Sequence, residues 1–281
     1  MLAALGLATL MWMTPARAID AAPAVEADPA IYVVRDDDTT IFLFGTFHIL
    51  SADVVWFNGP VEQAFADSTE LVVETLPVES AAAAPAVLPA QASRMTPAAS
   101  FLASAQHAVR AGRTRGMALD HGADMVLLRA AADHGKSVEP LETLQSQLAM
   151  MVNIPPEARP AAPCAPSSCT DSAIDLSAAM TLLQGAWASG DQGLFAAMLG
   201  EMRVSAPNAY RILFAERNAR WTDWVSGRMR QPGTVFVAVG AAHLAGPDSL
   251  LVGLARRGLT SRRVHEGAQP LPDLAFRGPL D

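Results

Sequence analysis

Two segments of the chain share one pattern, an apolar run followed by Gly-x-x-His. The first pattern runs from Gly45 to His48, and the second runs from Gly240 to His243. A glycine at the end of a strand permits a tight turn with close backbone approach, and ligands of open α/β sheets bind beyond the carboxyl ends of the strands. We therefore expect two imidazoles at one site, although either histidine alone could equally cap a helix or bond a backbone group.

Two glutamates hold comparable positions, each at the end of a short predicted strand. Glu74 ends the run 71–74 and Glu142 ends the run 137–142, and we interpret both runs as buried strands. A buried carboxylate is costly without a partner, so each glutamate needs a metal ion, an arginine or a helix N-terminus. For Glu142 the alternative is that it caps the helix that begins at Thr143.

Two histidines with one or two glutamates form a ligand set suited to zinc, manganese or cobalt. Such an ion lowers the pKa of a bound water enough to give hydroxide near neutral pH. If the strands that precede His48, His243, Glu74 and Glu142 are parallel neighbours, their ends share one edge, spaced about 5 Å per strand. The pattern predicts a metal-assisted hydrolase site at that edge, with a divalent metal ion as cofactor.

Arg217 and Asn218 interrupt an apolar stretch of a helical segment. One interpretation is that Arg217 holds a carboxylate or binds the developing anion of a substrate, and the other is an exposed helix face. The remaining histidines are expected at the surface or at helix ends: His107, His121, His134 and His265.

The spacing of apolar and turn residues predicts an α/β fold around a central sheet, with a hairpin and a β-α-β unit in its first half. Strands are predicted at 31–35, 39–44, 71–74, 137–142, 234–239 and 261–265. Helices are predicted at 59–67, 100–112, 122–134, 143–152 and 248–257, and the segment 171–230 is predicted to be helical with breaks at 189–191 and Pro207.

The first 18 residues form an apolar run that ends in Ala16-Arg17-Ala18. A small-x-small ending is typical of a signal peptide, and the run is short for a membrane span. We expect cleavage after Ala18 and a periplasmic or secreted protein, the alternative being an uncleaved anchor. The rest is interpreted as a spacer at 19–29, one domain at 30–270 and a tail at 271–281.

Cys164 and Cys169 lie in a segment rich in proline and serine. Because export permits disulfides, we expect a bridge between them, and a redox-active or metal-binding pair is the alternative. The closed loop is short, so the bridge should contribute little to stability. The Ala/Pro-rich residues 79–100 are interpreted as a loop or an irregular cap.

The charge balance narrows the class of partner. The 281 residues carry a formal net charge of −8 with a pI near 5.2, which argues against nucleic acid as the main partner, because phosphate binding requires a basic surface. No segment after the signal is apolar and long enough for a membrane span. The expected partner is a peptide or another small extracytoplasmic substrate.

The chain resembles the TraB/PrgY/GumN family, to which the Tiki Wnt-inactivating metalloproteases belong. The paired Gly-x-x-His turns are the most specific part of the resemblance, together with the last block below. The matching segments are GTFH at 45–48, ELVVE at 70–74, residues 122–148, AWASGD at 186–191, ERN at 216–218 and VAVGAAHLAGPDSL at 237–250.

The resemblance implies a divalent-metal hydrolase or protease fold. It implies two related β-α halves that form the central sheet, helices around the sheet, a helical cap region, and a distant similarity to erythromycin esterases. The segment 80–100 departs from the family pattern, where a helical cap is usual. The resemblance implies a site made of His48, His243, Glu74, Glu142 and Arg217, with Asp124 and Gln147 as further family positions. We interpret His48, His243 and Glu74 as metal ligands and Glu74, Glu142 and Arg217 as catalytic residues. Asn218, Gln147 and Asp124 are interpreted as substrate-binding residues.

Three functions are compatible with these residues. The first is an exported metal-dependent hydrolase of the peptidase type. The second is a metal-free, esterase-like hydrolase in which His48 or His243 acts as general base, oriented by a glutamate. The third is a non-catalytic protein that binds a peptide or a polysaccharide fragment in the same groove.

We predict that the mature protein begins at Ile19 and is found outside the cytoplasm, because the Ala16-Arg17-Ala18 pattern presents a signal-peptidase site. N-terminal sequencing of the protein from separated cell fractions tests this. A full-length product confined to the cytosolic fraction would contradict it.

Overall fold

The computed structural model describes residues 24–76, 106–155 and 176–265. The predicted signal peptide, the 79–100 segment, the Cys164–Cys169 bridge and the tail at 271–281 lie outside the described residues. Within the described ranges, no helix combines the length and apolar character needed to cross a membrane.

The described residues form ten strands and nine α-helices. The strands are β1 Val25–Glu26, β2 Ile31–Arg35, β3 Thr39–Thr46, β4 Leu50–Ser51, β5 Val54–Val55, β6 Glu70–Val73, β7 Met117–Ala118, β8 Ser137–Pro140, β9 Gly233–Gly240 and β10 Arg262–Arg263. The helices are α1 Gly59–Asp67, α2 106–113, α3 Ala123–Asp133, α4 Leu144–Val152, α5 Leu176–Ala188, α6 Gly193–Ser205, α7 Pro207–Tyr210, α8 Glu216–Arg228 and α9 Leu250–Ala255.

Six strands form the central sheet in the order β10-β2-β3-β9-β6-β8. The pairs β3·β9, β9·β6 and β6·β8 are parallel, whereas β2 and β10 add antiparallel strands at one edge. In the register of β3 with β9, Thr46 lies opposite Gly240, and Val73 of β6 lies opposite Ala238. The carboxyl ends of these three strands therefore meet at one edge, and the predicted α/β fold is confirmed.

The central strand β9 is apolar along its length because both faces of the sheet are covered. Phe236 and Ala238 face one hydrophobic cluster, which includes Phe44 and Trp187. The alternate residues of β9 face a second cluster built on α8 and α9. Helices on both faces thus explain why the strand shows no polar alternation.

The strand that precedes Glu142 differs from the prediction. The sequence predicts a buried strand at 137–142, but β8 covers Ser137–Pro140 and alternates between exposed and half-buried residues. Among the strands that the structure describes, it pairs only with β6. It is an edge strand, which is also where a proline such as Pro140 is tolerated.

The helical segment between β8 and β9 contains one feature that the sequence did not predict. The predicted breaks at 189–191 and Pro207 are present, and Pro207 occupies the first turn of α7. Between α7 and α8 the chain makes a π-helical turn, Arg211–Ala215, in which the Glu216 amide bonds the Arg211 carbonyl. One extra residue in the turn rotates α8 relative to α7, and π-turns of this kind are frequent at functional sites.

Candidate functional site

The two Gly-x-x-His segments bring their histidines to the shared edge. His48 lies two residues after β3, and His243 lies in a 3₁₀ turn that directly follows β9. A β-carbon added at Gly240 would lie 3.6 Å from His243 Cδ2, 3.7 Å from Glu74 Oε2 and 3.9 Å from His48 Nε2. Three of the residues singled out in the sequence therefore border one small space above Gly240.

His243 is buried in a fixed orientation. Its Nδ1 lies 2.7 Å from Asn218 Oδ1, and the Asn218 amide nitrogen donates to the Asp248 carbonyl at 2.8 Å. Because that bond fixes which end of the amide is the acceptor, Nδ1 of His243 carries the proton and Nε2 keeps the lone pair. Burial lowers the pKa of His243 to about 3, so the ring is neutral at physiological pH.

His48 has the opposite environment. Its side chain is 60% exposed, and its Nδ1 lies 2.7 Å from Asp124 Oδ2. The Asp124 carboxylate raises the pKa of His48 to about 9, although solvent screens this pair in its effect on stability. Burial opposes the ionisation of Asp124, but His48 outweighs it and the pKa of Asp124 is lowered.

The Asp124–His48 pair depends on close docking of α3. Asp124 is the second residue of α3, where a carboxylate is favoured by the helix dipole. The Ala123 amide donates to the Phe47 carbonyl at 3.0 Å, and a β-carbon on Gly122 would lie 2.1 Å from the His48 carbonyl oxygen. Only glycine at position 122 permits this approach.

Arg217 links the two glutamates to the buried histidine. Its Nε donates to Glu142 Oε2 at 2.9 Å, and its Nη2 contacts Glu74 Oε1. Its Nη1 lies 3.2 Å from His243 Nε2 and 3.2 Å from the Leu213 carbonyl. The interpretation of Arg217 as a carboxylate partner thus matches its contacts, and the exposed-face alternative is wrong because only 5% of the residue is exposed.

Glu74 is held by several donors at once. Gln147 Nε2 donates to its Oε1 at 2.7 Å, and the Gly240 amide lies 3.5 Å from its Oε2. Burial opposes ionisation of this carboxyl, but His243 and Arg217 together lower the pKa of Glu74 to about 2. Glu74 is therefore a carboxylate at physiological pH, with Oε2 as the oxygen on the side of the space above Gly240.

Glu142 stands one step further from that space. It accepts from Arg217 and from Arg220 Nη2, the latter at 2.8 Å. The alternative that Glu142 caps α4 is wrong, because Thr143 is the N-cap and its hydroxyl accepts from the Ser146 amide. Glu142 is a partner of two arginines.

The residues expected to bind substrate contact other members of the site. Asp124 holds His48, Gln147 holds Glu74, and Asn218, with 3% of its surface exposed, holds His243. Sequence reasoning missed Asp248, whose carbonyl orients Asn218 and whose carboxylate accepts from Tyr210 at 2.8 Å. Its position in the last of the family-like segments was the available signal.

The side chains do not form a metal centre as they stand. His48 Nε2, His243 Nε2 and Glu74 Oε2 border the same space, and Glu74 Oε2 lies 4.0 Å from His243 Nε2. Among the described residues, however, no group of three or more His, Cys, Asp or Glu is arranged to hold an ion. The Nε2 lone pair of His243 faces Arg217 instead, so the donor set does not fit an ion in this arrangement, and the divalent cofactor stays a prediction.

Comparison with known proteins identifies one family. A family model described as the TraB/PrgY/gumN family matches residues 30–91 and 78–263, which together are most of the chain. Searches of curated proteins and of solved structures gave no match. The matched residues include every member of the site described above.

We predict that the pKa of His48 lies well above, and the pKa of His243 well below, the usual value for an imidazole. His48 should titrate near pH 9 and His243 should stay neutral down to about pH 3. NMR titration of the histidine ring protons in metal-stripped protein measures both. Asp124→Asn should move the pKa of His48 down toward 6.5. The pKa of His243 should not change, because of the two histidines Asp124 contacts only His48.

The sign of the stability effect follows from the raised pKa of His48. The pair with Asp124 stabilises the fold fully below pH 6.5, and this contribution is lost as the pH rises through about 9. Two histidines that both titrate near 6.5 would contradict the geometry of the site.

Proposed function

The chain belongs to the TraB/PrgY/gumN family, and from that premise we propose that it is an exported hydrolase acting on a peptide or another small substrate. One observation carries the proposal. A carboxylate oxygen of Glu74 and a ring nitrogen of His48 border the same space above Gly240, at the strand ends where α/β sheets bind ligands.

Glu74 and His48 have the properties of a base and an acid. Glu74 is ionised and His48 is protonated near neutral pH, because their surroundings move the two pKa values apart. These are the protonation states that a general base and a general acid need before the reaction, and surroundings that separate two pKa values indicate which group takes which role. In the proposed reaction, the oxygen of a water molecule attacks the substrate carbonyl carbon while Glu74 Oε2 takes a proton from that water. His48 Nε2 gives a proton to the leaving group as its bond to the carbonyl carbon breaks.

The other contacts of the site hold these two groups in place. Arg217 and Gln147 bind Oε1 of Glu74, which leaves Oε2 for the water. Asp124 binds Nδ1 of His48, so the ring offers Nε2 to the substrate. Because His48 is 60% exposed, it regains its proton from solvent after each turnover, while Glu74 releases the proton it took.

A metal-dependent hydrolase is the second candidate. Both rings have Nδ1 tied to an acceptor, Asp124 for His48 and Asn218 for His243, and metal-ligating histidines usually have such a partner. A divalent ion would supply a water of lowered pKa. Metal analysis of purified wild type and of His48→Ala separates the two candidates.

We predict that Gly240→Ala abolishes hydrolysis without unfolding the protein. The added methyl group meets its neighbours at 3.6–3.9 Å, and Gly240 has a φ of −51°, which any residue adopts. The free energy of unfolding should change by no more than about 0.5 kcal/mol. The methyl group fills the proposed position of the water, so turnover should fall by about 100-fold or more.

Turnover is measured on a fluorogenic peptide mixture and on p-nitrophenyl acetate, and stability by denaturant unfolding. Gly45→Ala is the matched control, since its β-carbon would lie 3.0 Å from the Ala241 Cα. That variant should lose about 1–3 kcal/mol of stability through overpacking. Wild-type turnover in Gly240→Ala would refute the proposed site, and binding of the peptides without turnover by wild type would favour the non-catalytic alternative.

A further inference from the structure

We infer that Arg217 is the resident cation of this site and that its guanidinium keeps a divalent ion out. Each of its three guanidinium nitrogens contacts an acceptor in the site: Nε contacts Glu142, Nη2 contacts Glu74 and Nη1 contacts His243. The guanidinium carbon also lies 4.6 Å from the centre of the Trp221 ring, and 6% of the side chain is exposed. The cation is therefore fixed on every side.

The conflict with an ion arises at one lone pair. An imidazole nitrogen without a proton has a single lone pair in the ring plane, and a ligated zinc ion lies about 2.0–2.1 Å along it. Arg217 Nη1 already lies 3.2 Å from Nε2 of His243. An ion and the Arg217 N–H cannot both use this lone pair, so ion binding requires that the guanidinium leave.

The ring cannot avoid the conflict by offering its other nitrogen. Nδ1 of His243 donates to Asn218 Oδ1, and the Asn218 amide is oriented by the Asp248 carbonyl. A flipped ring would lose this bond in a buried position, where an unmet polar group is costly. The available nitrogen of His243 is thus Nε2, the atom that faces Arg217.

The charges act in the same direction. Glu74 and Glu142 are buried, and Arg217 with Arg220 already supplies their positive partners. A divalent ion beside the guanidinium would place two cations in contact in a site that needs no further positive charge. Without the guanidinium, the Glu74 carboxylate would lose its main ion pair, and the Nε2 lone pair of His243 beside it would be free. A carboxylate oxygen and an imidazole nitrogen are ligands suited to zinc and cobalt.

The test is cobalt binding to metal-stripped full-length chains, followed by the absorption of bound Co²⁺. Arg217→Met keeps an unbranched side chain of similar length and removes the charge and the donors. We expect Arg217→Met to bind one Co²⁺ at least about tenfold more tightly than wild type, a difference of about 1.4 kcal/mol. Adding His243→Ala to Arg217→Met should abolish the gain.

Arg220→Met is the control, because this arginine also contacts Glu142 but is 49% exposed and, among the described residues, makes no hydrogen bond or ion pair with His243 or Glu74. It should bind cobalt as wild type does.

Cobalt affinity in Arg217→Met that equals or falls below that of wild type would overturn the inference. If Arg217→Met does not fold, wild type decides: tight, stoichiometric binding that His243→Ala abolishes overturns the inference, and its absence upholds it. Neither result depends on turnover, so this inference and the hydrolase proposal can fail separately.

Discussion

Two carboxylates, Glu74 and Glu142, lie almost out of contact with water at the edge of the sheet, and one guanidinium contacts both of them. Taking such charges out of water is expensive, and the cost is recovered only when every donor and acceptor is paired. Arg217 meets this requirement and also reaches His243. The position of Glu74 therefore depends on this buried ion pair. Because Glu74 borders the space above Gly240, the shape of that space depends on the ion pair as well.

The fold serves this pairing through backbone geometry. The parallel register of β3, β9 and β6 brings three strand ends together, so that residues far apart in the sequence share one edge. The π-helical turn Arg211–Ala215 then sets the rotation of α8, and the adjacent residues Arg217 and Asn218 reach the glutamates and His243, respectively. The Leu213 carbonyl within that turn accepts from Arg217 as well.

Much of this arrangement could be predicted from local pattern. The apolar runs before Gly45 and Gly240 indicated two strands of the sheet, and the repeated Gly-x-x-His indicated a common edge. The π-turn could not be predicted, because one inserted residue in a helix leaves no periodic signal. The edge position of β8 was also missed, since the pattern of a short strand does not reveal whether it has one neighbour or two. The tie between Asn218 and Asp248 depends on tertiary contacts between α8 and the segment after β9.

The central claim is that Arg217 and Glu74 act as one buried ion pair, and a double-mutant cycle on the free energy of unfolding tests it most directly. Arg217→Met and Glu74→Gln should each destabilise the protein, the former by about 3–5 kcal/mol because it leaves buried carboxylates unpaired. The double variant should lose less than the sum of the two by at least about 1 kcal/mol. Strictly additive losses would show that the two side chains do not depend on each other and would contradict the account.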